Sequence, residues 1–127
     1  PAQLGEGPVV VAVTPAEASL GALQVGVALA AALGRPVAFV RTINIPDEYA
    51  QIYWSGDALA EFKAQRLKVA EERTSAWLAE HGHAGPLTVR YGDEVEEILA
   101  AAAELRAPVI VSGSRLLSRL ERLVALS

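Results

Sequence analysis

Apolar residues in this chain occur either in short unbroken runs or in longer segments where they recur every three or four positions. Four runs have the length and β-branched content of strands: Pro8–Val13, Pro36–Ile43, Leu87–Tyr91 and Pro108–Ser112. The first and last runs are continuously apolar, which is typical of strands buried on both faces of a parallel sheet.

The segments between these runs predict three α-helices. They extend from Pro15 to about Leu33, from Asp57 to His81 and from Glu94 to Arg106. The remaining stretch, Asn44–Gly56, is irregular and rich in aromatic residues, and it predicts a loop. Its aromatic side chains are candidates for covering a pocket, for contacting a partner or for packing on the sheet.

The start of the first predicted helix carries a capping signal. Thr14 suits the N-cap, Pro15 suits the first helical position, and Glu17 completes a capping box three residues after the cap. Gly34 supplies the C-terminal stop. Thr14 is therefore predicted to cap a helix, with ligand binding as the alternative.

The element order β-α-β-α-β-α-β predicts an α/β fold. We expect an open, doubly wound parallel sheet of about four strands with helices on both faces. One domain should span residues 1–127, because this length suits a single core and no linker or repeat interrupts it. Ligands bind beyond the carboxyl ends of strands in such sheets, so a small-molecule site is expected near Thr14, Thr42, Gly92 and Gly113.

The composition limits which kinds of partner and which cellular environment we expect for this protein. The chain is 52% apolar, has a net charge of −4 and contains no cysteine, which excludes disulfides and cysteine-bound metals. A negative net charge gives no overall basic field to attract nucleic acid. The longest apolar stretch, Val25–Leu33, is too short to cross a bilayer, and residues 1–8 lack the features of a signal peptide. We therefore expect a cytoplasmic protein that neither binds nucleic acid nor inserts into membranes.

The sequence contains little that indicates catalysis or metal binding. No serine near the strand ends has a histidine neighbour, so a serine nucleophile is not expected. His81 and His83 lack nearby acids and make a poor metal site. Asp93 and Glu94 lie where a helix dipole favours acids without any catalytic role. We expect no catalytic residue, no metal and no enzyme activity, with weak ATPase activity as the alternative.

Gly113, Ser114 and Arg115 form a candidate phosphate-binding turn. They follow a predicted strand and precede a segment with a helical pattern, where backbone N–H groups and the arginine side chain bind anions. Neither a Walker loop nor G-x-G-x-x-G is present. The alternative is a tight strand-to-helix turn that requires one glycine.

Three stretches resemble the universal stress protein family. They are VVVAVTPAEASLGALQVGVALAAALGRPVAFVRTIN (9–44), GDEVEEILAAAAELRAPVIVSGSR (92–115) and GSRLLSRLERLVALS (113–127). The resemblance covers nearly the whole chain except Asn44–Gly56. It implies a Rossmann-like fold of the adenine nucleotide alpha hydrolase type and a role in the stress response.

The resemblance also implies a degenerate nucleotide site. Nucleotide-binding members carry G-x-x-G-x9-G-[ST] after the fourth strand and an aspartate ending the first strand. Here Leu116 and Leu126 replace two of the glycines, and Thr14 replaces the aspartate. Leucine side chains obstruct the approach of phosphate to the backbone, so ordinary ATP binding is not expected. The positions that would line the pocket are Thr14, Thr42, Gly113, Ser114, Arg115 and Ser127.

Family members usually continue through a final helix and a fifth strand, and their usual dimer uses that strand. This sequence stops at Ser127, so we expect either a naturally shortened protein or a cut sequence. The basic, leucine-rich tail 113–127 is expected to cover the sheet as an amphipathic helix or to contact a protein partner. We expect a homodimer that is built differently from the family's usual one.

Three functions remain open on these grounds. The first is a stress-response or regulatory module that acts through dimerisation and protein contacts and needs no cofactor. The second is a member that binds ATP or AMP with weak or no hydrolysis. The third is an accessory domain of a transporter or sensor kinase. The two leucines at glycine positions favour the first function over the second.

Overall fold

The computed structural model describes residues 6–44 and 56–113. The predicted loop, apart from its end residues, and the tail beyond Gly113 lie outside the described residues. The strands and helices follow the predicted order: β1 Val9–Ala12, α1 Leu20–Leu33, β2 Val37–Ile43, α2 Gly56–Glu80, β3 Leu87–Tyr91, α3 Glu94–Leu105 and β4 Ile110–Val111.

The four strands form one parallel sheet in the order β3-β2-β1-β4. The central strand β1 pairs with β2 on one side, where Val9 is opposite Val37, and with β4 on the other, where Val10 is opposite Ile110. The valines at positions 9–11 have no exposed surface, as expected for a strand buried on both faces. The predicted α/β fold with a parallel sheet is confirmed.

Helices cover both faces of the sheet. Val9 and Val11 pack with Leu23 of α1 and Leu78 of α2 on one face. Val10, which points the other way from the same strand, packs with Ile98 of α3 on the opposite face. The doubly wound arrangement predicted from the sequence is therefore confirmed.

A close contact between α1 and β1 depends on Gly26. A Cβ atom at this position would overlap the Cγ2 methyl group of Val11 and would lie 3.3 Å from its Cγ1. Because Val11 belongs to the buried strand, it has little room to move away. Gly26 therefore sets how closely the first helix approaches the sheet.

The entry into α1 differs from the prediction. The α-helix begins at Leu20, after a 3-10 turn at Glu17–Ser19, and neither element has a side-chain cap. Instead, the backbone N–H of Thr14 donates to Oγ of Ser19 over 3.0 Å. This bond between side chain and backbone closes a local turn that competes with earlier helix formation. The predicted helix cap at Thr14 is wrong, and Thr14 is left exposed at the strand end.

The other helix ends are closer to expectation. Gly34 follows α1 with φ of 67°, the left-handed stop that its position predicts. Asp93 caps α3, because its Oδ2 accepts from the backbone N–H of Glu96 over 3.0 Å. Arg106 ends α3 in the left-handed region with φ of 58°, a conformation that usually belongs to glycine. Within the described ranges, none of the helices has the length and apolar character required to cross a bilayer.

Candidate functional site

A cavity of about 270 Å³ lies at the carboxyl edge of the sheet. The chain moves from β1 outward to β2 and β3, and then returns to place β4 on the other side of β1. This change of direction creates the crevice in which α/β sheets usually bind ligands. The described residues that line it are Ala12, Val13, Thr14, Ala16, Ala18, Ser19, Val40, Thr42, Glu94, Ile98, Ser112 and Gly113.

The structure brings three of the six predicted site residues to this cavity. Thr14 follows β1, Thr42 lies near the end of β2, and Gly113 follows β4. They are far apart in sequence and meet because parallel strands end at the same edge of the sheet. The other three predicted residues lie outside the described residues: Ser114, Arg115 and Ser127.

Three further polar residues line the cavity, and none of them is among the six predicted site residues. Ser19 reaches the cavity through the turn that its hydroxyl closes with Thr14. Ser112 directly follows the last strand, and its hydroxyl donates to the Gly113 carbonyl oxygen over 3.4 Å. Glu94 is the first residue of α3. Strand-end position could have identified Ser112, whereas Ser19 had no sequence signal because the 3-10 turn was not foreseen.

The charge of the cavity is negative on its described side. Glu94 is the one charged residue among the described residues that line it, and the remaining polar groups are neutral hydroxyls. A carboxylate repels phosphate groups, and more strongly where water is partly excluded. The described lining residues therefore supply no positive charge that would attract a polyphosphate.

Gly113 has more room than a tight turn requires. Its φ is not positive, and a Cβ atom added there would come no nearer than 4.0 Å to a described neighbour, the Ala18 carbonyl oxygen. Neither the backbone conformation nor packing against the described residues therefore explains a glycine at this position. Close approach of the backbone to a ligand is a further reason for glycine at a strand end.

A second cavity, of about 280 Å³, lies between the end of β2 and α2. Three arginines line it: Arg41 from β2, and Arg66 and Arg73 from α2. Burial lowers the pKa of Arg41, and the positive charges of Arg73 and Arg66 lower it further. Sequence reasoning missed this cluster, because Arg41 is 25 or more residues from the other two and because Arg66 and Arg73 resemble ordinary solvated helix charges.

A small ion-pair network ties β3 to α3 on the opposite face. Nε of Arg90 donates to Oε1 of Glu97 over 2.9 Å, and its Nη1 donates to Oε2 of Glu104 over 2.6 Å. The hydrogen bond with Arg90 holds the pKa of the Glu104 carboxyl below its usual range. The pKa of Arg90 is raised by the same pairing. This network is structural, since neither cavity includes these side chains.

The described part of the chain contains no metal-binding site. Residues 6–44 and 56–113 contain no group of three or more histidine, aspartate or glutamate side chains arranged to hold an ion. His81 is engaged locally, since its Nδ1 lies 2.8 Å from the Trp77 carbonyl oxygen.

Comparison with known proteins identifies the family. The parallel sheet and the crevice at the change of strand direction define a doubly wound α/β domain. The model of the universal stress protein family matches residues 7–127, so the chain belongs to that family. This confirms the resemblance found in the sequence.

A solved structure supports the same fold. The chain is similar to a protein from the universal stress protein family from Burkholderia pseudomallei, with a TM-score of 0.58 and 23% identity. The match covers 98% of this chain and 93% of that one. At this identity the likeness shows the fold alone. No curated protein matches the sequence significantly.

Proposed function

We propose that this chain is a stress-response or regulatory module that acts through protein contacts, without ordinary ATP binding and without catalysis. The observation that carries the proposal is the charge of the 270 Å³ cavity at the change of strand direction, here called the switch-point cavity. Glu94 is the one charged residue on its described lining, and Thr14 occupies the strand end where nucleotide-binding members have an aspartate.

The proposal is supported by the lack of any cation among the described residues that line the cavity. Phosphate sites in proteins rely on converging backbone N–H groups, cations or both. The described lining offers hydroxyl groups, small apolar walls and one carboxylate instead. Leu116 and Leu126, at two glycine positions of the nucleotide loop, lie outside the described residues, and their sequence positions support the same proposal.

The outer surface of α1 supports a role in protein contacts. This helix contains no charged residue over its 14 positions. Val25 is 60% exposed and Leu33, the last residue of the helix, is 50% exposed. An uncharged helix with exposed large apolar side chains favours association, and we propose that a second copy of this chain covers it as a homodimer.

Light scattering at micromolar concentration tests the dimer. The wild-type chain should have twice its monomer mass, and Val25→Glu should shift it toward the monomer. Lys68→Glu, which changes an exposed residue of α2, should leave the mass unchanged. A monomeric wild type, or equal effects of the two substitutions, would remove this part of the proposal.

A second candidate function is binding of AMP in the same cavity. It is favoured by Gly113, where the described neighbours leave open the space that a glycine provides for a phosphate. A monophosphate carries less negative charge than a triphosphate, so Glu94 opposes it less.

Calorimetric titrations with ATP and with AMP separate the two candidates. The proposed function predicts no saturation with either nucleotide at sub-millimolar concentration. Saturation with AMP alone would establish the second candidate, and Glu94→Gln should then strengthen AMP binding. Saturation with ATP would contradict the proposed function.

A further inference from the structure

The second cavity gathers positive charge from two elements of the fold. Arg66 and Arg73 are seven residues apart on α2, so they lie on the same side of the helix about two turns apart. Arg41 reaches the same cavity from β2. The three arginines are among the residues that line this cavity of about 280 Å³ at the carboxyl end of β2.

Arg41 is held in place by bonds that use only part of its guanidinium group. Its Nη1 donates to Oγ1 of Thr74 over 2.9 Å and lies 3.4 Å from the Ala70 carbonyl oxygen. Thr74 has no exposed surface, so this acceptor is fixed by the core. The Nε atom is buried without a hydrogen-bond partner. Guanidinium carries five donors, and the described residues supply acceptors to one of its three nitrogens.

The cluster has no described counter-charge. Within residues 6–44 and 56–113, Glu97 and Glu104 pair with Arg90, and no described carboxylate pairs with Arg41, Arg66 or Arg73. The two charges that act on Arg41 most strongly are both positive. Like charges that converge on one cavity repel each other, and an anion bound among them would relieve that repulsion.

We propose that Arg41, Arg66 and Arg73 form a binding site for a phosphate group, carried by inorganic phosphate or by a small phosphate monoester. The planar guanidinium fork matches two oxygens of a phosphate and is suited to bidentate binding. Arg66 and Arg73 are exposed and admit a ligand from solvent, while Arg41 provides the fixed inner contact.

This site is separate from the switch-point cavity. Thr42 is the single described residue that lines both cavities, and Glu94 lines only the first. The phosphate site therefore does not depend on the function proposed above. If experiments contradict either proposal, the other is unaffected.

The test is a titration with inorganic phosphate and, in parallel, with glycerol 2-phosphate, at a constant ionic strength of about 0.1 M set with chloride. The readouts are calorimetric heat and the rise in melting temperature that accompanies binding to the folded state. The variants are Arg66→Gln and Arg73→Gln, alone and together. Lys68→Gln is the matched control, because it removes one exposed positive charge from the same helix on a different side.

The wild-type chain should show saturable binding of at least one probe by about 10 mM. Each arginine substitution should weaken binding roughly tenfold, as expected for loss of one charge-assisted contact. Without ligand, the same substitutions should leave the melting temperature unchanged or raise it, because repulsion within the cluster is reduced. The probe that binds more tightly identifies the natural form of the phosphate, and either form supports the proposal.

Three results would overturn it. One is the absence of saturation with both probes, and another is an equal loss of affinity in Lys68→Gln, which would indicate unspecific attraction. The third concerns Asp47 and Glu48, which lie outside the described residues, in the stretch between β2 and α2. Replacing them together with Asn and Gln should leave phosphate binding intact or strengthen it, and loss of binding would count against the site.

Discussion

Nη1 of Arg41 donates to Oγ1 of Thr74 over 2.9 Å and thereby joins β2 to α2. Thr74 has no exposed surface and is the one polar residue among the fully buried side chains of the described chain. A buried hydroxyl is stable when it is hydrogen-bonded, and here its partner is a cation at the edge of a cavity. This hydrogen bond therefore satisfies a buried hydroxyl in the core and also fixes the position of Arg41 in the arginine cluster.

Thr74→Val should destabilise the protein by about 1–3 kcal/mol. Valine keeps the shape but removes the acceptor, so Arg41 loses its fixed partner while remaining half-buried. The free energy of unfolding from urea titrations measures the effect. Ser75→Ala, at the exposed neighbouring position, should stay within about 0.5 kcal/mol of wild type. Equal costs for the two variants would show that the hydrogen bond contributes nothing.

Gly26→Ala and Gly21→Ala should have opposite effects although they lie in the same helix. A Cβ atom at Gly26 collides with Val11, whereas a Cβ atom at Gly21 meets nothing within 4 Å. We expect Gly26→Ala to cost about 1–3 kcal/mol from overpacking and Gly21→Ala to gain up to about 1 kcal/mol. Thermal unfolding of both variants checks this. Stabilisation by both would mean that α1 moves away from β1 at little cost.

Arg106→Gly should be more stable than Arg106→Ala by about 1 kcal/mol. Arg106 ends α3 with φ of 58°, and alanine retains the strain of that conformation while glycine relieves it. The comparison between two variants removes the contribution of the arginine charge. The free energy of unfolding is measured by denaturant titration. A higher value for Arg106→Ala than for Arg106→Gly would contradict the left-handed conformation at the end of α3.

Glu104 should make stability depend on pH in the acid range. Its pKa is lower in the folded protein than in the unfolded chain because Arg90 bonds to the carboxylate. The stabilisation is therefore fully present above the unfolded pKa of about 4.3 and is lost as pH falls through the lower folded pKa.

Glu104→Gln should accordingly be less stable than wild type at pH 7, with the two converging at acid pH. Urea titrations at several pH values measure the gap. Glu80→Gln, at an exposed carboxylate with no described ion pair, is the control and should show no such convergence. If the difference in free energy of unfolding between wild type and Glu104→Gln stays constant down to acid pH, the ion pair with Arg90 would be contradicted.

Strand and helix order could be predicted from the sequence because the signals are local. The continuous valine run Val9–Val11 marks a strand buried on both faces, and it occupies the centre of the sheet. Asp93 and Gly34 mark helix ends through capping chemistry that involves only neighbouring residues. Thr14 misled the prediction, because the hydroxyl of Ser19 offers its backbone N–H a competing bond five residues away.

Prediction of the cavities was less complete, because they depend on contacts between distant elements. Thr14, Thr42 and Gly113 could be identified from the rule that parallel strands end together. Glu94 carries a helix-dipole signal that explains it without a cavity, so its place in the lining was not foreseen. Arg41, Arg66 and Arg73 come together only because α2 lies next to the end of β2. The spacing of these residues in the sequence does not indicate this contact.

We propose that this member of the universal stress protein family does not bind ATP in the ordinary way. The most direct measurement is a calorimetric titration of the wild-type chain with ATP and magnesium. Because Glu94 is the one charged residue on the described lining and Leu116 and Leu126 stand at two glycine positions of the nucleotide loop, we predict heats no larger than those of dilution up to millimolar ATP. A saturating isotherm at sub-millimolar ATP would contradict the account.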